Sequence, residues 1–189
     1  MSKELSEMTL EELWELYPIF LVAPREKWKD DYREIESELR ELLPGNDVAR
    51  ISHIGSTAIA GIWAKNIVDV LVEIPMSAKI ENAAEIMRRN GYIIMSADKS
   101  RISLNKGYTK EGFADQVYHI HLRYFGDNDE LYFRDYLNEH GDVAAEYEAL
   151  KLDLWKKYEH DRDAYTDAKT DFIRYWTEKA RKKYGNRYC

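Results

Sequence analysis

The sequence predicts an α/β fold, in which a mixed sheet of about five strands is flanked by helices and followed by a helical C-terminal third. Residues 48–75 contain two β-rich apolar runs on either side of a small-residue turn, and residues 116–125 alternate with period two. The last third has helical spacing and no strand signal. At 189 residues the chain fits one domain, with the sheet at about 18–125 and the C-terminal helices at about 128–184.

The first fifty residues predict two helices and a short strand. Thr9 and Glu12 form a capping box, so a short helix is expected to end by Pro18. The run IFLVA at 19–23 is predicted to be an edge strand. Pro24 suits the first turn of a second helix, whose apolar stripe is Trp28, Tyr32, Ile35, Leu39 and Leu42.

The centre of the chain predicts the sheet. Strands are expected at 48–54 and 67–74, then a helix that Ser77 caps, and further strands around 92–95 and 101–105. Residues 107–114 are predicted to form a loop. In the strand that follows, Val117, His119, His121 and Arg123 share one face.

Three helices are expected in the last third, near 129–139, 143–158 and 163–183, and Gly141 is expected to end the first. The second has an apolar stripe of Val143, Tyr147, Leu150 and Leu154. These faces allow the helices to pack on the sheet and on one another.

Composition excludes several classes of protein. Charged residues make up 33% and apolar residues 44%, which is typical of a globular chain. The net charge of −7 makes broad nucleic-acid binding unlikely as a function, because that binding needs cations that displace counterions from phosphate. A single cysteine, Cys189, excludes a disulfide framework. Neither a signal peptide nor an apolar run of membrane-spanning length is present, so a cytoplasmic location and no membrane partner are expected.

The turn Gly55, Ser56 and Thr57 is the predicted phosphate site. Glycine lets a ligand approach the backbone closely, and the serine hydroxyl and turn N–H groups can donate to phosphate oxygens. Lys65, between this turn and Asp69, suits an anion contact; alternatively, it is an ordinary loop lysine. His53 is expected to orient the turn through a hydrogen bond.

Several segments, in order, resemble the GrpB family: HIGSTAIAG, AKNIVDVLVEI, HIHL, FRDYL and YTDAKTDFI, covering roughly residues 17–179. That family is usually placed within the nucleotidyltransferase fold, and its members have mostly been left without an assigned reaction. The resemblance implies a nucleotide or other phosphorylated small molecule at the turn, with Asp69 holding a metal ion. Working nucleotidyltransferases generally carry a second acid two residues later, where this chain has Leu71, and this departure argues against two-metal transfer.

A second metal ligand would have to come from another strand. Glu73 lies about 13 Å from Asp69 along an ideal strand, too far to bind the same ion. His119 and His121 are candidates, because residues two apart on a strand can reach one ion, and Arg123 on their face could bind phosphate. The ion would be divalent, Mg²⁺, Mn²⁺ or Zn²⁺, with histidines favouring a transition metal or zinc. Alternatively, the histidines simply line a half-exposed sheet face.

Lys169 falls on a helical stripe with Tyr165, Phe172 and Trp176, where an apolar residue would be expected. It either extends to solvent or points into a polar cleft, and the cleft is the favoured interpretation.

Three hypotheses follow from the sequence. The first is an enzyme for metal-assisted nucleotidyl or phosphoryl transfer, with Asp69, Lys65 and Lys169 as catalytic residues. The second is a binding module that keeps the nucleotide pocket without catalysis. The third is a partner-binding protein without a ligand.

Overall fold

A computed structural model, which describes residues 7–189, confirms the α/β architecture with a five-stranded mixed sheet. The strands are β1 Leu21–Val22, β2 Arg50–Ile54, β3 Ala64–Lys65, β4 Val68–Ile74, β5 Ile93–Ala97, β6 Arg101–Thr109 and β7 Gly112–Tyr124. The α-helices are α1 Leu10–Leu16, α2 Lys27–Leu42, α3 Ile80–Arg89, α4 Asp129–Glu139, α5 Gly141–Lys157, α6 Arg162–Asp167 and α7 Thr170–Tyr184. Residues 1–6 lie outside the described residues.

The main sheet has the order β2-β4-β7-β6-β5, and β4 pairs with β7 in parallel while its other pairs are antiparallel. The predicted edge strand at 19–23 is β1, but it pairs with β3 in a separate two-stranded sheet, with Leu21 opposite Lys65. This small sheet positions Lys65 close to the start of β4.

Because side chains alternate along β4 and β7, one face of these strands is apolar and packs into the core, while the other face carries the polar side chains. Val70, Val72, Ile120 and Leu122 point into a core that also contains apolar side chains of α2 and α3. On the opposite face, Leu71 packs with Ile54 and with Leu131 of α4. The polar side chains of β4 and β7 therefore lie on the side of the C-terminal helices.

Glu73 is fully buried and has a structural role. It forms an ion pair with Arg50 and accepts hydrogen bonds from the Gly126 backbone N–H at 3.1 Å and from Asn128 Nδ2 at 2.9 Å. Because its carboxylate is bound to these partners, Glu73 stabilises the start of α4.

The predicted loop at 107–114 is wrong, since β6 and β7 continue through it as a hairpin. The turn is closed by Thr109, whose hydroxyl donates to the Gly112 carbonyl at 2.9 Å. The register shifts between Lys106 and Tyr108, and Gly107 there has φ 92°. Polar residues and two glycines resemble a loop in sequence, but here they form a bulge and a tight turn.

Helix boundaries also differ from the predictions. The helix expected over 163–183 is two helices, α6 and α7, separated at Ala168 and Lys169. Ser77 does not cap α3, which begins at Ile80. Gly141 opens α5 directly after α4. Between residues 7 and 189, no helix has the length and apolar character needed to cross a membrane.

Candidate functional site

The turn after β2 brings Gly55 against Asp69. Gly55 has φ 71°, a conformation that favours glycine, and it leads into a single 3₁₀ turn at Ser56–Ala58. A side-chain carbon placed on Gly55 would lie only 2.9 Å from Cβ and Cγ of Asp69. Position 55 therefore requires glycine because the Asp69 side chain approaches its backbone closely. The spacing of residues in the sequence did not reveal this reason.

His53 and Thr57 stabilise this turn from behind. His53 Nε2 lies 2.9 Å from the Thr57 hydroxyl, which in turn donates to the Ile67 carbonyl at 3.3 Å. The His53 ring stacks on Tyr32, and burial lowers the pKa of His53 to about 4. A neutral imidazole that orients the turn is the arrangement expected from the sequence. Because the Thr57 hydroxyl takes part in these two hydrogen bonds, the backbone N–H of Thr57 would have to make the contact with phosphate that the sequence predicts.

The parallel pairing of β4 and β7 places Asp69 beside both histidines. Asp69 is in register with His119, and Leu71 with His121. His119 Nδ1 lies 3.4 Å and His121 Nε2 lies 3.2 Å from the same oxygen, Asp69 Oδ1. Burial raises the pKa of Asp69, but the hydrogen bonds and electrostatic effect of the two histidines outweigh burial and hold this pKa below its ordinary value. The Asp69 carboxylate is therefore ionised at neutral pH.

The remaining ring nitrogens also have partners. His119 Nε2 lies 2.8 Å from the Tyr108 hydroxyl, and His121 Nδ1 lies 3.5 Å from Arg123 Nη2. Burial lowers the pKa of His119 despite the neighbouring carboxylate. In residues 7–189 no three His, Cys, Asp or Glu side chains are arranged to hold a metal ion. As they stand, the two histidines hydrogen-bond Asp69, and a metal ion here would have to take the place of those hydrogen bonds.

Arg123 lies behind His121, away from solvent. Its guanidinium donates to the Leu122 carbonyl at 2.9 Å, and its Nε has no hydrogen-bond partner among the described residues. Burial lowers the pKa of Arg123. Although it shares the histidine face, Arg123 does not line the cavity described next. Its position suits holding His121 in place better than contacting a ligand.

A cavity of about 820 Å³ lies between this face of the sheet and the C-terminal helices. Gly55, Ser56, Asp69 and both histidines form its sheet side. Its helical side contributes cations and aromatic rings, among them Lys151, Arg162, Lys169, Tyr147 and Tyr165. Lys65 of β3 also lines the cavity. The cavity therefore joins the predicted phosphate turn and Asp69 to several positive charges.

Four of these cations, Lys65, Lys151, Arg162 and Lys169, form a cluster that we call the cationic cluster. None of the four makes an ion pair with another described residue. Burial, with added repulsion from neighbouring cations, lowers the pKa of Lys65 and of Lys151 to about 7; the repelling cations are Arg162 and Lys169 for Lys65, and Lys169 for Lys151. Burial also lowers the pKa of Lys169 to about 8, although the negative charge of Asp69 opposes this change. Asp69 thus lies among four mutually repelling cations. Asp129, Glu130 and Glu178 also line the cavity, as do Arg101, Arg174 and Arg181, so seven lysine and arginine side chains of the described residues line it against four carboxylates. This charge imbalance favours an anionic ligand.

The break between α6 and α7 positions Lys169. Its backbone is the N-terminal boundary of α7, and its Nζ lies 4.0 Å from the centre of the Tyr165 ring. Tyr165 is buried, so the ammonium is held against an aromatic face inside the cavity. Lys169 and Asp69 line the same cavity, as the sequence interpretation required.

Sequence reasoning missed Lys151 and Arg162. Lys151 is 1% exposed, donates to the Trp63 carbonyl and lies 4.9 Å from the Tyr147 ring centre. Its signal was present, because Lys151 falls four residues after Tyr147 on an apolar helical stripe, as Lys169 does after Tyr165. Arg162 donates to the Tyr108 hydroxyl at 2.8 Å, a contact with the β6–β7 hairpin that no local pattern indicates.

Comparison with known proteins identifies relatives over most of the chain. Residues 18–179 match the family model described as GrpB protein. The chain is 34% identical to the glutamate-rich protein GrpB of Alkalihalophilus pseudofirmus, covering 82% of this chain and 91% of that relative. It is 30% identical to the UPF0157 protein YqkA of Bacillus subtilis, covering 90% of this chain but only 50% of YqkA.

Solved structures show the same fold. The crystal structure of the conserved protein GrpB from Enterococcus faecalis has a TM-score of 0.75 and 28% identity, over 87% of this chain and 99% of that chain. The Cid1 poly(U) polymerase, in a form bound to MgATP, has a TM-score of 0.51 and 14% identity, over 78% of this chain and 46% of Cid1. At that identity, the likeness to Cid1 shows the nucleotidyltransferase-type fold alone.

Proposed function

The chain belongs to the GrpB family, and from its cavity we propose that it binds a small phosphorylated molecule, with a nucleotide as the expected class. The observation that carries this proposal is the cationic cluster, which faces Asp69 and forms no ion pair with any residue that the structure describes. Burying like charges together is unfavourable, and a ligand with several negative charges removes that cost.

In this proposal the ligand contacts two sides of the cavity. The N–H groups and the hydroxyl of the Gly55–Ser56 turn lie on the sheet side of the cavity, opposite Lys169 and Lys151 on the helical side. A phosphate group between them would accept hydrogen bonds from the turn and ionic contacts from the lysines. The fold shared with Cid1, which has been crystallised with MgATP, supports a nucleotide as the ligand class.

Calorimetric titration with ATP, inorganic tripolyphosphate and adenosine tests this proposal. ATP and tripolyphosphate should bind and raise the melting temperature, whereas adenosine alone should not, because the cluster recognises charge. Lys169→Met should weaken both phosphate ligands at least tenfold. Lys179→Met is the matched control, since Lys179 lies in the same helix at 5.4 Å from the Tyr175 ring but on the exposed surface. Equal binding by parent and Lys169→Met, or no binding of either phosphate ligand, would contradict the proposal.

Transfer of a nucleotidyl or phosphoryl group is the second candidate, and Asp69 favours it. An ionised carboxylate repels phosphate, so its presence in a phosphate cavity needs a separate reason, and a divalent ion that neutralises both groups would supply one. Titration of metal-free protein with Mn²⁺, Mg²⁺ and Zn²⁺, repeated on Asp69→Asn and His121→Ala, tests this candidate. If the metal affinities change in neither variant, this candidate is contradicted, and phosphate binding without group transfer is the function that is left.

A further inference from the structure

A second, smaller cavity of about 270 Å³ lies beside the first. It is formed where the two-stranded β1–β3 sheet meets the beginning of β7. Lys65 and Ile67 line both cavities, so these two residues separate them. Nothing in the phosphate-binding proposal accounts for this second space.

The walls of the second cavity are apolar and aromatic. Val22, Ile67 and Val117 are buried and belong to its lining, while Phe20 and Phe113 are 58% and 39% exposed. Phe20 packs edge-on against Trp155, with ring centres 5.6 Å apart, and leaves the rest of its ring uncovered. Two large exposed rings beside one apolar cavity offer surface area that a flat apolar group would remove from water.

Two cations give this apolar space a charge preference. Arg25 lines the cavity and makes no ion pair with the described residues, and Lys65 is likewise unpaired. Asn66 adds an amide whose oxygen already accepts from Trp28 Nε1 at 2.9 Å, which leaves its NH₂ group to donate. Among residues 7–189, no acidic side chain lines the space. Its chemistry therefore complements an apolar molecule that carries a carboxylate or another single anionic group.

We propose that this cavity, which we call the second pocket, binds a small aromatic anion next to the phosphate site, with Lys65 contacting the ligands of both. The inference adds a second ligand to the site proposed above. Because Lys65 lies between the two spaces, an anion in either one reduces the positive charge available to the other.

The experiment uses the fluorescent aromatic sulfonate 1-anilinonaphthalene-8-sulfonate as the probe and the full-length protein. The parent should bind the probe saturably, and Phe20→Ser and Arg25→Gln should each weaken it at least fivefold. Both side chains are exposed, so these variants should keep the parental melting temperature. Phe125→Ser and Arg33→Gln are matched controls, since Phe125 is a similarly exposed ring and Arg33 an exposed arginine, and neither lines the second pocket. Both controls should bind the probe as the parent does.

Titration of tripolyphosphate into the same variants separates this inference from the proposed function. Phe20→Ser and Arg25→Gln should leave tripolyphosphate affinity unchanged, while Lys65→Met should weaken both the probe and tripolyphosphate. If tripolyphosphate fails to bind but the probe still depends on Phe20 and Arg25, the second pocket stands and the phosphate site is wrong. Probe affinity that is the same in the parent, Phe20→Ser and Arg25→Gln, or absent in the parent, would overturn the inference.

Discussion

Gly55 and Asp69 are packed so closely that no side chain fits between them: a Cβ on Gly55 would lie 2.9 Å from Asp69 Cγ. The Gly55–Ser56 turn and the Asp69 carboxylate are therefore one rigid unit, in which two histidines also hydrogen-bond Asp69. Any residue larger than glycine must move Asp69 and disturb both hydrogen bonds.

Gly55→Ala should consequently reduce tripolyphosphate affinity by about tenfold or more, since the displaced carboxylate would enter the cavity. Gly61→Ala is the matched control, because Gly61 also has a positive φ of 79° but has nothing within 4 Å of its would-be Cβ. Both variants should lose about 1 kcal/mol or more of unfolding free energy from backbone strain, and Gly55→Ala should lose more because its Cβ also meets Asp69. Only Gly55→Ala should also lose ligand affinity in a calorimetric titration. Equal affinities in the two variants would show that the contact with Asp69 does not shape the site.

Lys151→Met should stabilise the free protein at pH 7 and weaken tripolyphosphate binding. The change removes a buried cation whose charge is unfavourable beside Lys169, and the gain should be roughly 1 kcal/mol or more. Urea unfolding with and without tripolyphosphate measures both effects, with Lys179→Met as the surface control. A destabilised variant with parental affinity would mean that the bond to the Trp63 carbonyl is the main role of Lys151.

The affinity for tripolyphosphate should fall as the pH rises from 6 to 9. The pKa values of Lys65 and Lys151 are lowered to about 7 and that of Lys169 to about 8, so these amines lose their charge in this interval. A bound anion stabilises the charged form, and binding at pH 8 should therefore take up protons. Calorimetry in buffers of different ionisation enthalpy measures that uptake. Binding without proton uptake at pH 8 would show that the lysines stay charged in the free protein.

The free energy of unfolding of the ligand-free protein should rise with pH between 7 and about 10, whereas the affinity for tripolyphosphate falls between pH 6 and 9. Because the folded-state pKa of these lysines is below the unfolded value of 10.5, the unfolded chain binds more protons between pH 7 and about 10. Below pH 7 the charges of these buried lysines lower the free energy of unfolding by their full amount, and this loss decreases as the pH rises from 7 to about 10. The slope of unfolding free energy against pH should be smaller in Lys151→Met than in the parent.

Breaking the Arg50–Glu73 pair should affect stability alone. Arg50→Met leaves a fully buried carboxylate with only its neutral donors and should cost about 3 kcal/mol. The double variant Arg50→Met/Glu73→Gln should recover part of this loss, because no charge remains buried. Tripolyphosphate affinity should be unchanged in both, since neither residue lines the cavity. A loss of affinity would mean that α4 must be fixed for the cavity to form.

Local sequence patterns predicted most helices and strands, but they could not predict the partners across the sheet. The capping box at Thr9 and the bounds of α4 are observed as expected. The closeness of Asp69 to His119 and His121 depends on β4 pairing in parallel with β7, a contact between residues fifty apart in sequence for which periodicity carries no signal. Similarly, an unbroken helical pattern over 163–183 hid the break at Lys169, because no proline or glycine marks it.

The origin of the cavity walls has a consequence for dynamics. Asp69 and the turn come from the sheet, whereas Lys151, Arg162 and Lys169 come from helices later in the chain. A bound anion that contacts both sides acts as a non-covalent cross-link, because the helices cannot detach without releasing it. Amide hydrogen exchange through local opening of α5–α7 should then slow on ligand binding, while exchange in β5, at the far edge of the sheet, should not.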